Sequence, residues 1–228
     1  MRREASSAPS RHRIAFAVLA PLFAVAALLV GGGCAELRTP PQDRGLPLLL
    51  SPDPGDPLRG TVRAAASDFA ESGRALAGRP REAALAAARL EYLAAAVPSD
   101  PRFAPMPASV GFALLTARAE LRSALGTRTE APPRPVIVAL AEAARALGAG
   151  DPAAAARALS PALFEPGGAA TLQRLGELGP LPAAMLAAQQ AAREMARLDA
   201  DQRWFGTAAT EPGVSAGQTT IGLGDAGY

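Results

Sequence analysis

The chain has 228 residues, enough for one domain with a substantial core, and carries 23 basic and 21 acidic side chains for a formal net charge of +2. Every basic residue is arginine, His12 is the only histidine and Cys34 is the only cysteine. Beyond Cys34 these counts exclude a Ser-His-Asp triad, a Cys-His pair, a Schiff-base lysine, a Walker phosphate loop and a His/Cys metal site. We therefore expect no catalytic residue, no metal and no cofactor.

The N-terminus has the layout of an export signal. Residues 14–30 are an apolar run of 17 residues, counting one internal proline, and the glycines at 31–33 separate this run from Cys34. Four arginines precede the run: Arg2, Arg3, Arg11 and Arg13. A positive start, a short apolar core and a small-residue exit are typical of a secretory signal, and the run is shorter than the roughly 20 residues of a spanning helix.

These residues resemble the lipobox of bacterial lipoproteins, in which a small residue precedes a lipidated cysteine. The resemblance covers residues 1–34 and departs from the family at Gly31, where a branched apolar residue is preferred. It implies a signal peptide over 1–33, cleavage between Gly33 and Cys34, and a lipid on Cys34. An ordinary signal peptide and an uncleaved anchor are the alternatives.

The lipobox resemblance also implies a location. The lipid on Cys34 would hold the protein on a membrane of the bacterial cell envelope, with its domain in the periplasm. In such lipoproteins an aspartate after the cysteine is associated with the inner membrane, and the residue here is Ala35. We therefore expect the outer membrane rather than the inner.

The charge balance changes once the signal is removed. Four of the 23 arginines and one of the 21 acidic residues precede Cys34, which leaves 19 arginines against 20 acids and a net charge near −1. A nucleic-acid-binding domain would carry a basic patch and a basic balance. The composition therefore gives no support for a nucleic-acid partner.

The chain after Cys34 divides into three stretches. Residues 34–55 are proline-rich and predict an extended tether, and within them Leu46 and the leucines at 48–50 either dock on the domain or form a short recognition segment. Residues 56–205 predict a helical periplasmic domain. Residues 206–228 are rich in Gly, Thr and Ser and predict a flexible tail.

Apolar residues at spacings of three and four predict seven helices in the domain, bounded by proline and glycine. They span 56–77, 80–97, 107–125, 135–147, 151–160, 169–178 and 181–204. No alternating run is long enough for a sheet, so the predicted class is all-α, as a small bundle or as stacked hairpins. Phe103 and Met106 are expected to fill the core from a loop.

The domain contains a weak internal echo. Residues 74–84 and 145–156 share an Arg-Ala-Leu, Gly/Pro, Ala-Ala pattern that looks like the hairpins of tetratricopeptide-type repeats. Similar composition of two alanine-rich hairpins would produce the same echo, and two copies are fewer than a solenoid needs.

Two groups of polar residues are candidates for chemistry. Glu71-Ser72 resembles the Glu-Ser of lytic transglycosylases, which implies a carboxylate-dependent enzyme acting on cell-wall glycan with Glu71 as general acid. The downstream Gly-Leu-Met-Gln element of that family is absent, and a solvated helix residue is the alternative. Arg89, Glu91 and Tyr92 could line a polar groove.

The aromatic pair Trp204-Phe205 could anchor a partner, because aromatic residues dominate binding hot spots, or it could close the end of the bundle. We expect a non-catalytic module that binds an envelope protein or supports an envelope assembly. The alternatives are the glycan enzyme and a carrier of a small apolar ligand, which requires an enclosed apolar cavity between helices.

Overall fold

The all-α prediction is confirmed in the computed structural model, which describes residues 45–204. Gly33, Cys34, Phe205, the first part of the predicted tether and the predicted tail lie outside these residues. The described chain contains no β-strand, and none of its helices is both long and apolar enough to cross a bilayer. Its helices are α1 Gly45–Leu50, α2 Pro57–Asp68, α3 Pro80–Ala96, α4 Ala108–Leu125, α5 Pro133–Gly148, α6 Pro152–Ala158, α7 Gly168–Gly176 and α8 Pro182–Ala200.

The helix boundaries follow the proline and glycine signals of the sequence. Proline occupies the first turn of α2, α3, α5, α6 and α8, where its missing N–H costs no hydrogen bond. Asp56 and Asp151 cap α2 and α6, accepting from the backbone N–H of Arg59 at 3.1 Å and of Ala154 at 2.8 Å. Gly126 ends α4 with a φ of 69°.

Helix α3 lies at the centre of the fold. It packs against α2, α4, α5 and α7, and its residues from Ala86 to Ala94 are buried on every side. Alanine side chains on this helix allow its neighbours to approach closely, while Leu90 and Leu93 supply large buried area. Burying one leucine contributes about 1.5–3 kcal/mol, so these few large residues dominate the stability of the core. Phe103 and Met106 are buried in it as predicted.

The first predicted helix, over 56–77, is nine residues too long at its C-terminal end. Helix α2 ends at Asp68, and the chain continues through a tight segment over Ala70–Leu76 in which Glu71, Ser72 and Gly73 have φ values of 51°, 62° and 73°. The Ser72 carbonyl accepts a hydrogen bond from the Leu181 N–H at 2.8 Å, just before α8. Contact with α8 therefore overrides the helical spacing of the sequence.

The same segment contains the start of the first copy of the internal echo. Residues 74–76 belong to this tight turn, whereas the matching residues 145–147 lie within α5. The two copies thus differ in their Arg-Ala-Leu part, although Pro80 and Pro152 each begin a helix in the second part. The first copy is therefore not a hairpin of two α-helices.

Residues 45–50 are helical, although the sequence predicts an extended tether through them. Leu46 and Leu50 of α1 are buried against the domain, which is the docking alternative. The Leu50 carbonyl accepts from Arg89 Nε at 2.7 Å, and Arg89 also pairs with Asp68 at 2.6 Å. Helix α1 is thereby fixed to α2 and α3.

A glutamate from another helix caps α8. The residue before α8, Leu181, has no side-chain acceptor. Glu120 of α4 supplies the carboxylate instead, accepting from the backbone N–H of Ala183 at 3.3 Å and of Ala184 at 3.0 Å. This contact fixes the start of α8 against α4.

Candidate functional site

Glu71, the candidate general acid, lies on the left-handed turn after α2 and is exposed. Its neighbour Ser72 faces the protein, with its backbone N–H 3.3 Å and its Oγ 3.7 Å from the Met185 sulfur. Enzymes tune the pKa of a general acid by burying its carboxyl beside apolar or charged groups. Glu71 is exposed to solvent, unlike the buried carboxyl of such an active site.

Arg89, Glu91 and Tyr92 do not line a groove as the sequence suggested, because all three are buried. Arg89 holds the end of α1, as described above. The Glu91 carboxylate accepts hydrogen bonds from Arg122 of α4. These residues therefore join helices inside the domain, and they are unavailable to a ligand.

Trp204 is 7% exposed and closes one end of the bundle. Its ring lies edge-on to Phe103, with ring centroids 5.7 Å apart, and the Arg59 guanidinium carbon is 5.9 Å from the Trp204 ring centroid. Arg59 Nε in turn donates to Asp199 at 3.0 Å. This packing is what the closing alternative predicts. Phe205 lies outside the described residues, and its contact with a partner stays a prediction.

The candidate binding site is an open groove at the C-terminal end of α3, here called the Phe112 groove, with a volume of about 270 Å³. Phe112 of α4 stands at its edge with 69% of its surface exposed. No charged side chain lines the groove. Its lining includes Val97, Pro98, Phe103, Met106, Phe112 and Leu115.

The loop beneath the Phe112 groove is held rigid. It carries proline at four positions, and Asp100 accepts from the backbone N–H of Arg102 at 2.9 Å and from its guanidinium at 2.5 Å. Burial raises the pKa of Asp100, but the hydrogen bonds from Arg102 outweigh it and hold that pKa below its ordinary value of 3.8. The groove wall is therefore preformed.

Polar side chains continue the surface of α4 beyond the Phe112 groove. A second open groove of about 430 Å³ begins at Leu115 and is lined by Arg118, Arg122, Ser123, Thr127 and Thr129. An apolar centre with arginines beside it is a common composition of a protein interface.

A third open groove lies at the other end of α3 and has a volume of about 390 Å³. Its apolar floor consists of Leu49, Leu85, Val138 and Ala141, and Arg81, Glu142 and Arg145 stand on its rim. All three grooves are open to solvent, unlike the enclosed cavity that a carrier of apolar ligands requires.

Sequence reasoning missed Phe112, although a signal for it exists. The inward stripe of α4 contains Val110 and Leu114, and Phe112 lies two residues from each. At about 100° per residue this places Phe112 on the opposite face of the helix. A large aromatic residue on the outward face of a helix is a candidate contact for a binding partner.

Among residues 45–204 no three His, Cys, Asp or Glu side chains lie close enough to hold a metal ion. Comparison with protein-family models, with curated proteins and with solved structures finds no match to this chain.

Proposed function

We propose that the protein is a lipoprotein of the bacterial cell envelope, anchored through a lipid on Cys34, whose helical domain binds an envelope protein without catalysing a reaction. The position of the only cysteine, directly after an apolar run and three glycines, supports the anchor. Ala35 favours the outer membrane, with the domain in the periplasm.

The exposure of Phe112 is the observation that carries the binding role. A phenylalanine side chain that moves from water to an apolar environment contributes about 1.5–3 kcal/mol, so an uncovered ring beside an uncharged groove is a strong docking point. Aromatic residues that insert into such surroundings are typical hot spots. We therefore expect the partner to present an apolar side chain to the Phe112 groove.

The test is crosslinked co-purification from membranes with a carboxylate-directed or photoreactive reagent, because the chain has no lysine for amine-directed reagents. We compare the wild type with Phe112→Ala and Cys34→Ser. Leu186→Ala is the matched control, since Leu186 is also a large apolar residue, 58% exposed, but lies on α8.

We expect the wild type and the Leu186→Ala variant to capture the same envelope protein. The Phe112→Ala variant should lose most of it, and Cys34→Ser should lose both the partner and membrane sedimentation. Equal capture by the Phe112 and Leu186 variants would contradict the proposed binding site. Wild-type protein that captures nothing would contradict the binding role.

A further inference from the structure

We infer that the surface around α1 rests on a phospholipid bilayer, and this surface, defined by Leu48, Leu49, Arg81 and Arg145, is here called the bilayer face. The inference rests on the proposed lipid anchor at Cys34 and adds an orientation to it. The groove between α1, α3 and α5 would then face the membrane.

Two adjacent leucines give the bilayer face its apolar character. Leu46 and Leu50 of α1 are buried, while Leu48 is 55% and Leu49 is 68% exposed on the outer side of the same helix. Leu49 continues the apolar floor of the groove formed with Leu85. Apolar side chains in this position bind the boundary between lipid headgroups and acyl chains.

The charges around the leucines match a phospholipid headgroup. Arg81 and Arg145 lie on the rim, and an arginine side chain presents several donors to a phosphate group. Arg81 lies 3.5 Å from Glu82, and both side chains are exposed. Glu142 on the same rim matches the ammonium group of a zwitterionic headgroup.

Chain length limits how far α1 can lie from the proposed anchor. Ten residues lie between Cys34 and Gly45, so their Cα atoms are at most about 40 Å apart even in a fully extended chain. The hydrogen bond from Arg89 to the Leu50 carbonyl fixes α1 to the domain. Leu48 and Leu49 therefore cannot move away from the domain independently.

The Phe112 groove lies at the opposite end of the central helix. Leu85 lines the groove near α1 and Val97 lines the Phe112 groove, and these residues are about 18 Å apart along the helix axis. The two surfaces share no lining residue, so a partner in the Phe112 groove would not compete with the bilayer for the same side chains.

The experiment uses the full lipidated protein reconstituted in vesicles of phosphatidylethanolamine and phosphatidylglycerol. Leu49→Trp introduces an indole reporter at the bilayer face, and brominated acyl chains quench an indole that contacts them. Leu48→Trp is a second reporter at the same face, and Leu186→Trp is the matched control on α8. The fluorescence of Trp204 is subtracted with the wild type.

We expect quenching at positions 48 or 49 to exceed that at 186 by about twofold or more, because interfacial leucines lie at the acyl boundary. Equal or absent quenching at all three positions, in protein that sediments with the vesicles, would overturn the bilayer face and leave the anchor standing. Wild-type lipidated protein that fails to sediment would overturn both.

Discussion

The Arg122 guanidinium closes over the buried carboxylate of Glu91, with its Nε 3.1 Å from both carboxylate oxygens. A further nitrogen of the same guanidinium donates to the Ala131 carbonyl at 3.0 Å. One side chain thus joins α3, α4 and the segment that leads into α5. Because α4 carries Phe112, this contact also fixes the orientation of the proposed binding site.

Replacing Arg122 by methionine is expected to destabilise the protein by about 3–5 kcal/mol, because it leaves the Glu91 carboxylate buried without its partner. Replacing both residues, by methionine and leucine, should cost much less. Urea unfolding followed by circular dichroism measures both. Arg197→Met, at an exposed pair with Glu194, should cause no measurable change, and a similar loss there would contradict the argument.

Asp100 predicts a pH dependence. Its folded-state pKa lies below 3.8, so its contribution to stability is present above that pH and is lost as the pH falls through the lowered value. Asp100→Asn keeps an acceptor for the backbone but removes the charge. The difference in unfolding free energy between wild type and variant should therefore be largest at neutral pH and disappear in acid. A difference that grows in acid would contradict the lowered pKa of Asp100.

Gly126→Ala is expected to cost at least about 2 kcal/mol. The residue has a φ of 69°, which costs a non-glycine residue about 1–2 kcal/mol, and its new Cβ would also overlap the Glu165 carbonyl oxygen and the Arg174 guanidinium. Gly150→Ala separates the two effects, since Gly150 has a φ of 74° with no atom within 4 Å of a Cβ. Thermal unfolding should show the smaller loss there.

Glu71→Gly should stabilise the protein by about 0.5–1 kcal/mol, because relief of the left-handed backbone exceeds the entropy that glycine adds to the unfolded chain. Glu82→Gly, in the first turn of α3, is the contrasting control and should destabilise it. Denaturant midpoints compare the two.

If Glu71→Gln abolishes a measured muralytic activity, the alternative of a glycan enzyme gains support instead.

Two buried threonines differ in their hydrogen bonding. Thr61 donates to the Pro57 carbonyl at 2.7 Å, whereas the Thr171 hydroxyl has no partner among the described residues. Thr61→Val should therefore cost about 1 kcal/mol, while Thr171→Val should be neutral or stabilising. Unfolding free energies of the two variants should rank in that order, and an equal loss would show that Thr171 has a partner.

The sequence predicts best those helices whose ends carry proline or glycine. Helix α3 begins at Pro80 and stops before Pro98, and α4 ends at Gly126, because these residues limit the backbone wherever they occur. The fold class and the burial of Phe103 follow from the same local rules.

What the sequence cannot predict depends on distant contacts. The stripe of α2 continues past Phe69 to Leu76, yet the Leu181 N–H and the Met185 sulfur stabilise a left-handed turn at Ser72 instead. Helix α1 is six residues long, too short to be stable alone, and forms because Leu46 and Leu50 find buried positions. The Phe112 groove likewise forms only where the end of α3, the loop after it and α4 come together.

Helix α3 contains no glycine and has proline only in its first turn, so it is a stiff rod about 25 Å long. Its neighbours surround it from Ala86 to Ala94, and bending it there would disturb all of them. The two grooves at its ends therefore have a constant separation. If one groove rests on lipid and the other holds a protein, α3 acts as a spacer that keeps the two contacts at one distance from each other.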